Sequence, residues 1–186
     1  DPDDGGYARR KCAMAGGFQR LIHQVQKQQP ELRWQGTSLW GAQEPGYRDL
    51  IRKSLAEVLK PEENDLAKPP RSSRWSISIS HAKHFGGWVA VPLPHRVGFD
   101  VEEDRRITPA IISRMSTEEE IAECPNPSFL WCAKEAYFKS LAQDQPQAIT
   151  QLNIGEWVRV ETDLYSFKAS PHKPGRGWVL NQAPFL

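Results

Sequence analysis

Two acidic residues alternate along a short run of the chain that could bind a metal ion. Residues 97–102 read VGFDVE, so Asp100 and Glu102 are separated by one residue. Successive side chains of a β-strand point to opposite faces, which would place these two carboxylates side by side. Oxygen ligands with open positions suit Mg²⁺, which often also binds substrate phosphates. The same alternation is typical of a solvated sheet face, and this pattern alone leaves both interpretations open.

A second group with chemical potential lies on a predicted helix. Trp131, Glu135 and Lys139 follow one another at intervals of four residues, which places them on one stripe of the helix surface. In one interpretation Glu135 and Lys139 form an ion pair that stabilises the helix by about 0.2–0.5 kcal/mol. In the other, Glu135 is a third metal carboxylate one turn away from a phosphate-binding ammonium. The spacing does not decide between them.

The elements that must position these residues begin with three predicted strands. Residues 75–81 read WSISISH and alternate apolar with polar side chains, which predicts a half-buried strand ending at His81. Residues 88–91 predict a second strand and residues 97–102 a third. Because the connections are short, the three strands are predicted to form an antiparallel meander.

The remaining patterns predict a second region of mixed structure. Helices are expected over residues 47–59, 108–123 and 128–142, and over 7–29 with an interruption at Gly16 and Gly17. A proline-rich loop is expected over residues 61–73. Strands are expected at residues 157–160, 165–169 and 178–180. This order predicts a second α+β lobe.

Composition limits the class of protein. A chain of 186 residues with a net charge of +1 suffices for one domain or two small packed lobes, and its charge is no general argument for nucleic-acid binding. Residues 1–99 hold 15 Lys and Arg against 10 Asp and Glu, so the first half is the more basic one.

No run approaches the roughly 18 apolar residues of a membrane span. Three cysteines without C-x-x-C spacing predict free thiols and a cytoplasmic location. Residues 1–6 are interpreted as a loose leader.

Three pieces of this sequence occur in a characteristic order. They are SISH at residues 78–81, VGFDVE at 97–102 and WCAKEAYFK at 131–139. Together they resemble the 4′-phosphopantetheinyl transferase superfamily, in which a V/I-G-x-D-x-E strand precedes a W/F-x-x-K-E-A/S-x-x-K helix. The resemblance is specific over residues 75–141. Either motif alone would occur by chance far more readily than the two at this separation.

The resemblance implies a fold and an organisation. The expected fold is α+β, with two pseudo-twofold-related lobes, each an antiparallel sheet packed against a long helix. The length resembles the longer, two-lobed type that activates surfactin synthetase, somewhat shortened. The expected lobes are residues 1–96 and 97–186, with the metal site in the second. A monomer with its site in the cleft between the lobes is expected.

The resemblance also implies an activity. The family transfers the phosphopantetheine arm of coenzyme A to a serine of an apo acyl or peptidyl carrier protein and releases 3′,5′-ADP. The expected ligands of Mg²⁺ are Asp100, Glu102 and Glu135, of which Glu135 is also the leading candidate for the general base. Lys139, His81 and Lys134 are expected to contact coenzyme A, and the catalytic group comprises Glu135, Lys139 and Asp100.

Two departures from the family pattern concern the binding of coenzyme A. The G-K-P element upstream of the first strand is missing, and Lys68 and Arg71 are the basic candidates in its place. The glycine-rich segment that often follows the second lysine reads SLAQDQ here, at residues 140–145. Two alternative functions therefore stay open: a non-catalytic module that binds coenzyme A or a carrier protein, and a metal-dependent phosphoester hydrolase.

Overall fold

The structure is a computed structural model that describes residues 16–60, 72–141, 148–170 and 175–181. Its helices and strands follow one another in the order α1 (residues 16–26), β1 (Arg33–Thr37), α2 (Tyr47–Leu59), β2 (Trp75–His81), β3 (Gly86–Pro92), α3 (Pro109–Met115), α4 (Glu118–Glu123), α5 (Ser128–Ser140), β4 (Asn153–Glu161), β5 (Leu164–Ser170) and β6 (Gly175–Leu180). Short 3-10 turns at Ser38–Trp40, Asp104–Arg106 and Ile149–Gln151 join some of these elements.

The first sheet has the strand order β1-β3-β2, and both pairings are antiparallel. The alternating pattern correctly predicted β2 and β3, which pair from Trp75 opposite Pro92 to His81 opposite Gly86. Strand β1 was not predicted. Its five residues, RWQGT, include only one apolar side chain, so they carry no alternation that indicates a strand.

The two faces of the first sheet pack against different helices. Trp88 and Ala90 of β3 lie on the face covered by α2, whose Ile51, Leu55 and Leu59 belong to the same core cluster. Val89 and Val91 point to the opposite face, where they pack with Phe18 and Ile22 of α1. Because successive side chains of β3 point to opposite faces, this strand contributes to a hydrophobic core on each side of the sheet. The predicted helix over residues 47–59 is confirmed.

The second sheet has the strand order β4-β5-β6, again antiparallel throughout. Its apolar face packs against α5, where Leu130, Ala133 and Tyr137 join Ile154 and Phe167 in one core cluster. The three predicted tail strands are confirmed, with wider bounds. The expected α+β fold is likewise confirmed: there are two antiparallel three-stranded sheets, one packed against α2 and the other against α5.

The single helix predicted over residues 108–123 is wrong, because the chain breaks at Ser116 into α3 and α4. Thr117 caps the second helix: its side chain accepts a hydrogen bond from the backbone N–H of Glu120, whose carboxylate accepts one from the backbone N–H of Thr117. This reciprocal capping satisfies two backbone donors that a new helix leaves unpaired. The local capping chemistry therefore outweighs continuation of the first helix.

The third strand of the predicted meander is also wrong. Residues 97–102 belong to neither sheet, although they run alongside β2. The hydrogen bonds pair Ser76 with Val97 and Ser80 with Val101, so this segment lies alongside β2 and parallel to it, whereas the meander would pair it with β3. The expected alternation itself holds, since Phe99 is buried in the core while Gly98 faces the opposite direction, toward α5.

The segment 97–102 contacts both halves of the fold. Phe99 and Val101 pack into the core of the first sheet, whereas Gly98 lies against α5 of the second. A division of the chain between residues 96 and 97 stays a prediction. In the described ranges, none of the helices has the length and apolar character needed to cross a membrane.

Candidate active site

A row of serines on β2 holds the segment that carries the acidic residues. The Oγ atoms of Ser76, Ser78 and Ser80 accept hydrogen bonds from the backbone N–H groups two residues apart along the segment, at Val97 (3.2 Å), Phe99 (2.9 Å) and Val101 (3.2 Å). These side-chain hydrogen bonds take the place of the backbone hydrogen bonds that would join two strands of a sheet. The alternation of serine with apolar residues in β2 thus positions the next part of the chain.

Gly98 allows the same segment to approach α5 closely. A Cβ atom at this position would lie 1.7 Å from the backbone carbonyl oxygen of Ala136 and 2.9 Å from the backbone nitrogen of Ser140. Both obstacles are backbone atoms, which cannot rotate away as a side chain can. Glycine is therefore required where the segment crosses the helix that bears Glu135 and Lys139.

Gly98→Ala is expected to lower the free energy of unfolding by about 1–3 kcal/mol, the usual range for overpacking a tightly packed site. Urea unfolding followed by circular dichroism measures this change. Gly16→Ala is the matched control, because no heavy atom lies within 4 Å of a Cβ at Gly16 and alanine favours helix. Equal stability of the two variants would show that the segment does not need this close approach.

Asp100 and Lys139 form the centre of the site. Nζ of Lys139 donates to Oδ1 of Asp100 at 2.6 Å, and the side chain of Asp100 is only 9% exposed. The Ser80 hydroxyl lies 2.9 Å from the same oxygen. Residues 39 positions apart in the chain are thus brought into direct contact, and a charge-assisted hydrogen bond of this kind is among the stronger ones.

Two carboxylates and one ammonium act electrostatically on the carboxyl of Glu135. Burial raises the pKa of Glu135 above its usual value, the charges of Asp100 and Glu102 raise it further, and Lys139 opposes them. A carboxylate with a raised pKa is a better proton acceptor than an ordinary one. The structure thus brings all three predicted metal ligands into one electrostatic neighbourhood.

The position of Glu102 differs from that of Asp100. Its Oε1 accepts hydrogen bonds from the backbone N–H of Glu103 (2.9 Å) and from Nη1 of Arg106 (3.2 Å). Its side chain is 19% exposed. Glu102 therefore lies at the outer edge of the site, paired with an arginine on the turn that follows.

The fit of this site to Mg²⁺ rests on the chemistry of its donors. Asp100, Glu102 and Glu135 offer only carboxylate oxygens, the donor type that Mg²⁺ prefers, and the mutual effect of their charges shows a local excess of negative charge. Within the described part of the chain, however, no three Asp, Glu, His or Cys side chains form a group arranged to hold a metal ion. The donor types fit the ion, and its binding here is a proposal.

Lys134 does not lie in the site, and its assignment as a coenzyme A contact is corrected. Its side chain is 1% exposed and its ammonium donates to Oε2 of Glu120 (2.8 Å) and to the backbone carbonyl oxygen of Met115 (2.6 Å). The other carboxylate oxygen of Glu120 accepts the backbone N–H of Ile154 at 2.8 Å. Lys134 therefore ties α3, α4 and α5 together, and Glu120 extends this network to β4.

His81 lies in a separate basic pocket. Its Nε2 is 2.8 Å from the hydroxyl of Tyr47, which in turn accepts a hydrogen bond from Nε of Arg48 (2.9 Å). Burial lowers the pKa of His81, and the positive charges of Arg48 and Lys139 lower it further. The pocket beside this histidine is lined by Arg48, Ile51, Arg52, Ile79 and His81.

Two arginines of this pocket, Arg48 and Arg52, were not predicted as site residues. They lie four residues apart on α2 and therefore share one face of that helix. Their spacing is visible in the sequence, but charged residues on the outer face of an amphipathic helix are common whether or not the helix binds a ligand. The two predicted upstream candidates, Lys68 and Arg71, lie outside the described residues.

An apolar cavity of about 510 Å³ adjoins the site. It lies between α1 and β3 on one side and α5 and β6 on the other, and Asp100 is among its lining residues. Its walls are largely apolar side chains such as Phe18, Val89 and Tyr137. Arg96 and Arg176 also line this cavity, so positive charge is present in its walls as well as in the His81 pocket.

The two cysteines in the described part of the chain are buried, and one of them, Cys132, lies beside Asp100. Cys124 and Cys132 are free and buried, as expected from the sequence, whereas Cys12 lies outside the described residues. Burial raises the pKa of Cys132 well above its usual value, and the charge of Asp100 raises it further. The thiol therefore stays protonated and adds no charge to the acidic group. Trp131 packs against the core of the second sheet.

Comparison with known proteins agrees with this arrangement. No curated protein sequence matches the chain significantly. Residues 96–180 match the 4′-phosphopantetheinyl transferase superfamily. This region includes Asp100, Glu102, Glu135 and Lys139, the residues that the structure gathers at the meeting point of the 97–102 segment and α5. This match over residues 96–180 agrees with the resemblance that the two sequence motifs indicate.

Proposed function

We propose that this protein transfers the phosphopantetheine arm of coenzyme A to a serine of an apo acyl or peptidyl carrier protein. The observation that carries the proposal is the cluster of Asp100, Lys139 and Glu135 within the region that matches the transferase superfamily. The carrier, the pathway, the monomeric state and the cytoplasmic location stay predictions.

The reaction forms one bond and breaks one bond at phosphorus. The serine oxygen of the carrier attacks the phosphate that bears the pantetheine arm, and the pyrophosphate bond to 3′,5′-ADP breaks. The serine proton goes to a base, for which Glu135 is suited by its raised pKa. Such a reaction depends mainly on positioning and on the neutralisation of phosphate charge.

The residues of the site supply these requirements in distinct ways. Lys139 would pair with a phosphate oxygen, and its contact with Asp100 keeps its ammonium at the centre of the site. Asp100, Glu102 and Glu135 would hold Mg²⁺. When bound, this ion supplies charge neutralisation at the pyrophosphate.

The decisive experiment is a mass measurement of the carrier. The protein is incubated with coenzyme A, Mg²⁺ and a panel of apo carrier proteins, and a gain of one phosphopantetheine group is expected on at least one carrier. Asp100→Ala should abolish this gain, whereas Asp104→Ala, at an exposed acid nearby, should preserve it. If an established transferase modifies the same carriers and this protein modifies none, the proposed function is wrong.

The same experiment separates the two alternative functions. Tight binding of coenzyme A without transfer to any carrier would identify a binding module. Release of 3′,5′-ADP from coenzyme A in the absence of a carrier would identify a hydrolase, since the same carboxylates could support attack by water. The transferase proposal requires that ADP release depend on the carrier.

The pocket at His81 is proposed to hold a phosphate of coenzyme A. Arg52→Ala is expected to raise the KM for coenzyme A by about 10-fold or more with a smaller change in kcat, because a hydrogen bond to a charged group contributes about 1.5–3 kcal/mol. Steady-state kinetics measures both constants. Lys53→Ala, at the next position of α2 and exposed, is the control. An unchanged KM for Arg52→Ala would remove this residue from the binding site.

A further inference from the structure

Ser80 touches more of the site than any other serine of β2. Its Oγ lies 2.9 Å from Oδ1 of Asp100, 3.3 Å from Nζ of Lys139 and 3.2 Å from the backbone nitrogen of Val101. The residue is 6% exposed. One hydroxyl thus contacts the Asp100 carboxylate, the Lys139 ammonium that pairs with it, and the backbone of the segment that carries Asp100.

The direction of each of these hydrogen bonds follows from the groups involved. A serine hydroxyl has one hydrogen to donate and two lone pairs that accept. The ammonium of Lys139 and the backbone N–H of Val101 can only donate, and an ionised Asp100 can only accept. The Ser80 hydroxyl therefore accepts from Lys139 and from the backbone N–H of Val101, and it donates to Asp100. These three hydrogen bonds use the full capacity of the hydroxyl.

The other two serines of the row lack this arrangement. Ser76 accepts the backbone N–H of Val97, and Ser78 contacts only the backbone of Phe99, at its nitrogen (2.9 Å) and its carbonyl oxygen (3.4 Å). Within the described part of the chain, Ser80 is the one serine of the row whose hydrogen bonds reach side chains of the site. Ser76 is therefore a matched control, with the same backbone role at the far end of the row.

We propose that Ser80 is a positioning residue that orients the Asp100 carboxylate for a divalent cation. The hydrogen bonds from Ser80 and Lys139 fall on the same oxygen, Oδ1, so together they set the rotation of the carboxylate about its bond to the chain. Groups that orient a metal ligand through a hydrogen bond change metal affinity when they are removed. The inference rests on the metal role of Asp100 in the proposed function.

The test measures Mn²⁺ binding in the absence of coenzyme A and carrier. Free Mn²⁺ is followed by electron paramagnetic resonance during titration of the full chain. Ser80→Ala is expected to weaken Mn²⁺ binding by about 10–100-fold, and Ser76→Ala to leave it near the wild-type value. Equal Mn²⁺ affinity of Ser80→Ala and the wild-type protein, or no Mn²⁺ binding by the wild-type protein, would overturn the proposal.

Two further measurements separate positioning from loss of structure. Ser80→Thr keeps the hydroxyl and should retain more Mn²⁺ affinity than Ser80→Ala, while thermal unfolding compares the stability of Ser80→Ala with that of Ser76→Ala. In an Asp100→Ala background, Ser80→Ala should cause no further loss, because coupled residues are not additive. If Ser80→Ala lowered Mn²⁺ affinity in the Asp100→Ala background by as much as it does in the wild-type protein, Ser80 would not act through Asp100. None of these measurements uses a carrier protein. A failure of the transfer assay can therefore be distinguished from a failure of the Ser80 proposal.

Discussion

Glu135→Gln is expected to slow phosphopantetheine transfer by about 10²–10⁴-fold, the usual contribution of a general base. The amide keeps the size of the side chain but cannot accept the proton of the carrier serine. Burial and the charges of Asp100 and Glu102 raise the pKa of Glu135, which suits it to this role. Single-turnover kinetics with a saturating carrier protein measures the change in the chemical step.

The control for this prediction is an acid of similar type outside the site. Glu118 is exposed on α4, and Glu118→Gln should transfer at the wild-type rate. A wild-type rate for Glu135→Gln would remove Glu135 from both the base role and the metal role. A large loss of rate together with unchanged Mn²⁺ affinity would favour the base role over the metal role.

Lys134→Met is expected to lower the free energy of unfolding by about 3–5 kcal/mol, the usual cost of removing one partner from a buried ion pair. The substitution would leave the carboxylate of Glu120 buried without its cation, since both side chains are less than 10% exposed. Urea unfolding monitored by circular dichroism measures the change. A domain of this size has a total stability of about 5–15 kcal/mol, so the expected loss is a large fraction of it.

Two comparisons test the cause of this loss. Lys168→Met removes a lysine whose partner, Glu156, is also exposed, and should change stability by less than about 1 kcal/mol. The double variant Glu120→Gln/Lys134→Met removes both charges and should recover part of the loss, because the glutamine oxygen replaces only one of the two carboxylate oxygens that accept backbone N–H groups. Equal stability of Lys134→Met and Lys168→Met would contradict a buried structural pair.

Lys134 shows that a sequence motif alone does not determine the role of each of its residues. Its place in the W-x-x-K-E pattern predicted a contact with coenzyme A. The residue that decides its role is Glu120, 14 positions earlier on a different helix. A lysine at a given helical position can point to a ligand or into the core, and the choice depends on which face of α5 the neighbouring helices cover. Sequence spacing within one helix contains no information on that packing.

The segment 97–102 shows a similar limit. Alternation correctly predicted that Phe99 would be buried and Gly98 would face the other way. It did not identify the partner of the segment, because alternation reports only which side of an extended chain is buried. The serine side chains of β2 provide the hydrogen bonds in place of a backbone ladder. A parallel arrangement with side-chain hydrogen bonds has no signature in the apolar pattern.

By itself, the sequence determined the features that depend on local spacing. These are most of the strands, helix α2, the α+β class and the acidic and basic residues whose motifs resemble the superfamily that residues 96–180 match. Only the tertiary structure decided that Lys139 meets Asp100 and Ser80, that Lys134 is buried and that Arg48 lies beside His81. The physical reason is that periodicity follows from the geometry of one element, whereas contacts between distant residues follow from how several elements pack together.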